Sequence, residues 1–280
     1  MSAMKRRIAA TFRELRAHNE AALVPFVVAG DPNLDATAAL VREFAARGAD
    51  IIELGVPFSD PMADGPANQR AAQRGLKSGA SLTAILSMVT ELRKETDIPL
   101  ILFGYFNPIF HYGCERLCAD AARAGIDALL VVDLPPDEAG ELKTPARANG
   151  LDLIFLLAPT TPIERARYVA RSASGFIYYV AVTGVTGART VLASDLERQV
   201  TNLRSVTDLP IGVGFGISTP EQAGKVARFA DAVAVGSAIS LLIEANAQSS
   251  DLVKTVGELV GSMKLAMKAA RSGADAAVAG

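Results

Sequence analysis

The sequence repeats a pattern in which a helical segment ends near glycine and a short apolar run follows. Clear copies occur at Gly48, Gly125 and Gly150, and weaker ones at Gly175 and Asp231. Glycine readily adopts the left-handed conformation that ends a helix. The apolar runs lack polar alternation, which indicates strands buried on both faces, as in a parallel sheet. The chain is therefore expected to alternate helices with parallel strands.

Eight apolar runs are candidate strands, at residues 24–29, 51–54, 99–103, 128–132, 153–157, 176–180, 211–214 and 232–235. Helical patterns separate or follow them at residues 35–47, 82–95, 115–124, 137–149, 163–172, 195–206, 220–229 and 252–270. A further helix is predicted before the first strand, at residues 5–18.

These elements predict one α/β domain. Eight strands alternating with helices, without a compositional break, predict a single (β/α)8 TIM barrel with an extra N-terminal helix over residues 1–270. The length of 280 residues suits one such barrel. A doubly wound sheet is the alternative, but eight strands favour the barrel. The Gly- and Ala-rich residues 271–280 are expected to form a frayed, disordered tail.

Composition disfavours several classes of protein. The net charge of −2 argues against nucleic acid as the main partner, and no apolar run reaches the roughly 18 residues of a membrane helix. Residues 1–7 lack the apolar segment of a signal peptide, so the cytoplasm is the expected location. Cys114 and Cys118 are expected to be reduced, partly buried thiols. With only His18 and His111 beside them, no metal site is predicted.

The segment ELGVPFSDPMADGP, residues 53–66, carries the strongest chemical signal. The second predicted strand brings Glu53 to its carboxyl end, and a proline-rich loop then carries Asp60 and Asp64. Two carboxylates placed in this way suit acid–base catalysis when their surroundings push their pKa values apart. The alternative is structural: Glu53 would be satisfied by hydrogen bonds, and the two aspartates would stabilise turns.

Other candidate residues follow later strands, where the active site of a barrel forms. Tyr105 follows the third strand, Asp133 the fourth, and Tyr178 lies late in the sixth. The loops after the seventh and eighth strands are expected to bind phosphate through backbone amides and helix N-termini. Their key residues are Gly214, Gly216, Gly236 and Ser237. The alternative is that these glycines only form turns.

Two helix starts are also predicted from capping patterns. Ser218 or Thr219 is expected to cap the helix after the seventh strand, with Glu221 completing a capping box. Ser194 is expected to cap the preceding helix. The segment before it, residues 183–190, is long and Gly-rich, and is interpreted as a mobile lid or, alternatively, a disordered connector.

Four segments together resemble the tryptophan synthase alpha chain family. They are PFVVAGDP at 25–32, ELGVPFSDPMADGP at 53–66, GVTG at 184–187 and GFGIS at 214–218. The similarity extends over roughly residues 13–270, and the second segment is nearly diagnostic. It implies that Glu53 and Asp64 are the catalytic carboxylates and Tyr178 the active-site tyrosine. The implied substrate-binding residues are Phe26, Tyr105, Thr186, Gly187, Phe215, Gly216, Gly236 and Ser237.

Within this set, the resemblance implies that Phe26 and Tyr105 line the indole pocket and that Thr186 pairs with the catalytic Asp when the lid closes. Two positions depart from the family pattern. Asn68 stands where an apolar residue near the indole is common, and Val182 begins the lid where polar residues are common.

The family implies retro-aldol cleavage of indole-3-glycerol phosphate to indole and glyceraldehyde 3-phosphate, the alpha reaction of L-tryptophan biosynthesis. It implies no metal or organic cofactor in this chain. It also implies an α2β2 heterotetramer with a beta chain that carries PLP, contacted through Asp60-Pro61 and Asn107-Pro108. Two alternatives are another phosphosugar-binding barrel, such as an isomerase or epimerase, and a non-catalytic subunit that only activates a synthase.

Overall fold

The strands close into a parallel barrel. The computed structural model describes residues 6–180, 191–214 and 216–278. Its strands are β1 Ala22–Val28, β2 Ile52–Gly55, β3 Leu100–Gly104, β4 Ala128–Val131, β5 Asp152–Leu157, β6 Ile177–Val180, β7 Ile211–Gly214 and β8 Ala232–Val235. They pair in sequence order, and β1 pairs with β8 to complete the barrel. The predicted (β/α)8 barrel is confirmed.

Helices surround this barrel. They are α1 Arg7–Ala17, α2 Leu34–Ala46, α3 Pro66–Lys77, α4 Leu82–Leu92, α5 Phe106–Tyr112, α6 Cys114–Ala124, α7 Gly140–Ala148, α8 Ile163–Ser172, α9 Val191–Arg204, α10 Pro220–Ala227, α11 Ser237–Asn246 and α12 Leu252–Val278. Within the described residues, no helix is long and apolar enough to cross a membrane.

Two helices, α3 and α5, were not predicted, and α11 was expected only as a helix start at Gly236-Ser237, without bounds. The buried face of α3 consists of Ala67, Ala71, Ala72 and Gly75. These small side chains produce a weak hydrophobic periodicity, although they allow the helix to pack closely against the barrel. Helix α5 is a seven-residue element that contains a proline, which is too short for a periodic signal.

Helix termini differ from prediction in three places. The capping box of α10 joins Thr219 to Gln222, so the expected contribution of Glu221 is wrong. Helix α9 begins at Val191, and Ser194 therefore lies inside it rather than at its cap. Helix α12 continues to Val278, where a frayed tail is expected from residue 271. The Arg271 guanidinium donates to the carbonyl oxygen of Ala230 at 2.7 Å and holds this helix against the barrel.

The N-terminal end of the barrel is closed by α1. Its buried residues include Phe12, whose ring lies 5.7 Å from that of Phe176 on the floor of the barrel interior. Beneath them, the Asp127 carboxylate accepts hydrogen bonds from Arg7 at 3.0 Å and Arg93 at 2.8 Å. It also accepts one from the Leu100 amide at 2.9 Å. Since this end is filled, ligands can reach the interior from the carboxyl ends of the strands.

Candidate active site

A pocket lies at the carboxyl ends of the strands and brings together most of the predicted site residues. The residues that line it are Phe26, Glu53, Asp64, Asn68, Phe103, Tyr178, Gly216, Ile217, Ala234, Gly236 and Ser237. The predicted residues Thr186, Gly187 and Phe215 lie outside the described residues, as does Val182. The pocket combines aromatic walls, two carboxyl groups and a glycine-rich edge.

Glu53 is a buried carboxyl group at the base of this pocket. It lies on β2, in register with Phe26 of β1 and Ile101 of β3. Its side chain is 1% exposed, and among the described residues its Oε1 is the one buried side-chain oxygen or nitrogen without a partner. Burial raises the pKa of Glu53 to about 8, because the apolar surroundings disfavour the charged form. Glu53 is therefore a carboxylic acid at neutral pH.

Asp64 is also largely buried, but it has hydrogen-bond donors. The Tyr105 hydroxyl donates to Asp64 Oδ2 at 2.9 Å and accepts from the Ala63 amide at 3.0 Å. Burial raises the pKa of Asp64, while hydrogen bonds from Tyr105 and Asn68 oppose this rise. The Gln69 amide donates to the Asp64 backbone carbonyl at 2.9 Å and fixes the loop to α3. The two carboxyl groups therefore have different electrostatic surroundings.

Tyr178 lies on β6 and lines the same pocket as the two carboxyl groups. Burial raises the pKa of its phenol, and the nearby charges of Glu53 and Asp64 raise it further, so the hydroxyl stays neutral. The ring fits against β7 because Gly214 has no side chain. A Cβ at Gly214 would overlap the Tyr178 hydroxyl. Gly55 has the same relation to Phe26, whose Cζ would lie 2.6 Å from an added Cβ. Glycines on neighbouring strands thus make room for the aromatic walls.

The glycine-rich edge has the geometry of an anion site. Gly216 has a φ of 75°, which is the left-handed region that favours glycine. Gly236 is the N-cap of α11 and has no side chain that could occupy the first amides of the helix. Ser237 is the first helical residue. The first amides of a helix have no partner within it, and the helix dipole favours negative charge there. This edge can therefore bind a phosphate group.

The structure adds residues that the sequence reasoning did not assign to the pocket. Phe103 and Ala234 line it, and each lies two positions after another inward-facing residue, Ile101 and Ala232 respectively. This alternation of inward positions could have identified them. Tyr105 is not among the lining residues. It contacts the pocket through Asp64 instead.

Other predicted residues lie elsewhere. The Asp133 carboxylate accepts from the Phe106 amide at 2.7 Å, at the start of α5. Cys114 and Cys118 are free and buried in α6, as expected. Within residues 6–180, 191–214 and 216–278, no three His, Cys, Asp or Glu side chains are grouped as a metal site requires.

Comparisons with known proteins agree with this geometry. The sequence model of the family described as tryptophan synthase alpha chain matches residues 12–268. A tryptophan synthase alpha chain from Citrifermentans bemidjiense is 57% identical over 258 residues, which cover 92% of this chain and 96% of that protein. One from Geobacter sp. strain M21 is 56% identical with the same coverage.

Solved structures show the same relationship. Tryptophan synthase subunit alpha from Legionella pneumophila superimposes with a TM-score of 0.86 at 40% identity, covering 93% of this chain and 98% of that one. A chain of Mycobacterium tuberculosis tryptophan synthase superimposes with a TM-score of 0.84 at 33% identity, covering 94% and 98%. The barrel, the paired carboxyl groups and these similarities together establish that the chain belongs to the tryptophan synthase alpha chain family.

Proposed function

We propose that this chain is a lyase that cleaves indole-3-glycerol phosphate to indole and glyceraldehyde 3-phosphate. The observation that carries the proposal is the contrast between a buried, unpartnered Glu53 and a hydrogen-bonded Asp64 in one pocket. Groups whose environments push their pKa values apart can act as acid and base in one reaction. Family membership supplies the substrate and the reaction.

Glu53 performs the proton transfers in this proposal. A pKa of about 8 keeps it protonated at neutral pH, so it can donate a proton to C3 of the indole. The product is an indoleninium cation and a Glu53 carboxylate. That carboxylate then removes the proton from the adjacent side-chain hydroxyl. The oxygen forms a carbonyl, the carbon–carbon bond breaks, and its electrons return to the ring, so Glu53 ends protonated.

Asp64 stabilises the charge that develops during this reaction. As an anion, Asp64 accepts a hydrogen bond from the indole N–H. This interaction strengthens as positive charge grows on the indole nitrogen. Tyr105 supports this role because its hydroxyl donates to the Asp64 carboxylate. Tyr178 supplies a neutral hydroxyl beside the two carboxyl groups. The scheme uses no cofactor in this chain.

The rest of the pocket binds the substrate. The rings of Phe26 and Phe103 meet edge to face with centroids 5.0 Å apart and offer an apolar wall for the indole. Gly216, Gly236 and Ser237 bind the phosphate through backbone amides and the α11 dipole. Three further assignments rest on the resemblance: Gly187 contacts the phosphate, Phe215 contacts the substrate, and Thr186 pairs with Asp64 in the closed enzyme.

We also propose a PLP-bearing beta chain as partner, in an α2β2 heterotetramer in the cytoplasm. The two segments that resemble beta-facing regions carry large exposed apolar side chains. Met62, beside Asp60-Pro61, is 89% exposed, and Phe110, in the helix that holds Asn107-Pro108, is 57% exposed. Replacing Phe110 with Asp is expected to weaken binding to the beta chain. Leu265→Asp is a matched control, because Leu265 is 70% exposed on α12, away from these segments.

The test of the activity is indole release by the isolated chain, with Glu53→Gln as the control. Indole release that depends on Glu53 would support the lyase. A rearranged phosphosugar without indole would favour the isomerase or epimerase. If neither reaction occurs, and both proteins activate a beta chain equally, the chain is a non-catalytic activator.

A further inference from the structure

Asn68 has a defined orientation in the pocket. It lies in the first turn of α3, shortly after Asp64, and lines the same pocket. Its Oδ1 accepts a hydrogen bond from the Ser240 hydroxyl at 2.9 Å. Ser240 is 1% exposed and lies in the first turn of α11. Because a hydroxyl donor occupies the oxygen end of the amide, the nitrogen end is turned toward the pocket.

The nitrogen end of Asn68 lies among the groups of the proposed site. Nδ2 would be 3.6 Å from a Cβ at Gly236, which places it near the N-terminus of α11. It also faces the Asp64 carboxyl group in the same pocket, where its donor character opposes the rise that burial causes in the Asp64 pKa. Asp64 therefore has donors from two elements, Tyr105 after β3 and Asn68 on α3. A carboxylate has about four acceptor positions, so capacity remains for a substrate N–H.

The helices that carry Asn68 and Ser240 are also joined at a second point. Glu244 of α11 accepts hydrogen bonds from Arg70 of α3 at 2.7 and 2.8 Å. Arg74 of α3 contacts Glu244 at 3.1 Å and pairs through two hydrogen bonds with the fully buried Asp31. These contacts fix α3 relative to α11, so Ser240 holds the Asn68 amide in a preorganised position.

We propose that Asn68 is a positioning residue for the Asp64 carboxylate, and that Ser240 fixes its orientation and so connects the phosphate-binding helix to that carboxylate. The inference deepens the proposed function and rests on it. Asn68 acts through Asp64, since neutral donors favour the ionised form of a carboxylate. Burial raises the pKa of Asp64, and these donors oppose that rise, so they keep Asp64 ionised to a lower pH.

The experiment is a titration of the Asp64 carboxyl by NMR of protein labelled with ¹³C in aspartate. Asp64→Asn identifies the signal by its loss. Asn68→Leu keeps the approximate size and removes both hydrogen bonds, and we expect it to raise the Asp64 pKa by about one unit. Ser240→Ala is expected to raise it by less, since the amide is retained but is free to turn. Ser262→Ala is the control for Ser240, because the Ser262 hydroxyl donates within its own helix, to the Leu259 carbonyl oxygen.

Kinetics provide a second measurement. If Asp64 acts as an anion, a higher pKa moves the acid limb of the kcat profile to higher pH. We expect Asn68→Leu to make this shift, with kcat recovering at higher pH and KM little changed. A structural defect would instead lower kcat equally at every pH. Asn68→Gln retains both ends of the amide, so its acid limb is expected to lie closer to that of the wild type than the limb of Asn68→Leu does.

The outcomes separate this inference from the proposed activity. The NMR titration needs no turnover, so it tests the Asn68 contact even if the chain releases no indole. An unchanged Asp64 pKa in Asn68→Leu overturns the positioning role. If Asn68→Leu does not fold, Asn68→Ala supplies the same test, because it also removes both hydrogen bonds of the amide. A Ser240→Ala protein that titrates like Ser262→Ala overturns the connection to α11.

Discussion

The buried carboxyl groups at the two ends of the barrel differ in their hydrogen-bond partners. At the N-terminal end, Asp127 is 7% exposed and accepts hydrogen bonds from Arg7, Arg93 and the Leu100 amide. At the C-terminal end, Glu53 is 1% exposed and its Oε1 has no partner among the described residues. Burial raises the pKa of both groups. At Asp127 the amide and the two arginines oppose the rise, while at Glu53 nothing does.

The difference shows how one fold separates stability from reactivity. A buried charge and its partners form a set that is stable only when complete, because removing one member leaves the others uncompensated. A buried carboxyl group without partners is costly to ionise and is therefore a strong candidate for proton transfer. Substitutions at the two ends of the barrel should therefore have separable effects on catalysis and on stability.

Glu53→Gln should abolish most of the cleavage activity, because the amide cannot transfer a proton. Loss of a general acid and base costs about 10²–10⁴-fold. Steady-state indole formation measures kcat, and a binding assay with glycerol phosphate checks that the pocket is intact. A variant that keeps more than a tenth of wild-type kcat, an order-of-magnitude margin, would remove Glu53 from the mechanism.

Asp64→Asn should lower kcat by on the order of 10²–10³-fold, because a neutral amide cannot stabilise a cationic indole nitrogen. The Tyr105 hydroxyl, which donates to this group, keeps a possible acceptor in the Asn oxygen, so folding should be preserved. Kinetic analysis should show the loss in kcat. A change confined to KM would make Asp64 a binding residue.

Asp127→Asn should affect stability rather than catalysis. Arg93, whose side chain is largely buried, would lose its carboxylate partner, while Arg7 would keep its second one, Asp97. Breaking a buried pair costs about 3–5 kcal/mol. Denaturant unfolding measures the loss, and kcat per folded molecule should stay near the wild-type value. A fall in kcat comparable to that of Asp64→Asn would mean that the two ends of the barrel are not independent.

The stability of the wild-type protein should depend on pH through Glu53. Its pKa of about 8 lies above its ordinary value of 4.5, so the folded protein keeps a proton that the unfolded chain releases. This contribution is complete below about pH 4.5 and is lost as pH rises through about 8. Glu53→Gln removes this dependence and should be more stable than wild type at pH 8 by roughly 2–4 kcal/mol. Equal unfolding free energies of the two proteins at pH 5 and pH 8 would contradict the raised pKa.

Ser237→Asp should give the smallest effect, a weakening of phosphate binding by about tenfold. The substitution places negative charge at the N-terminus of α11, where the phosphate is proposed to bind. Affinity for glycerol phosphate should fall while affinity for indole is retained. An equal loss for both ligands would indicate misfolding rather than a phosphate site.

The strands and most helices could be predicted because their signals are local. Parallel strands buried on both faces appear as apolar runs, and β7 and β8 have the predicted bounds. Helix α3 could not be found in this way, because its buried face is made of small residues. The capping box of α10 shows the limit of spacing rules. Ser218 with Glu221 and Thr219 with Gln222 both satisfy the pattern, and the backbone path selects the second pair.

The barrel and the two carboxyl groups can be predicted from the sequence, since they follow from apolar periodicity and from one contiguous segment. The difference between these carboxyl groups arises from contacts between residues far apart in the chain. Tyr105 reaches Asp64 from another strand, and Ser240, which lies 172 positions from Asn68, fixes the second donor. No comparable donor from the described part of the chain reaches Glu53 Oε1. The pKa of a side chain depends on burial and on neighbours brought together by folding, and these are not encoded in local spacing.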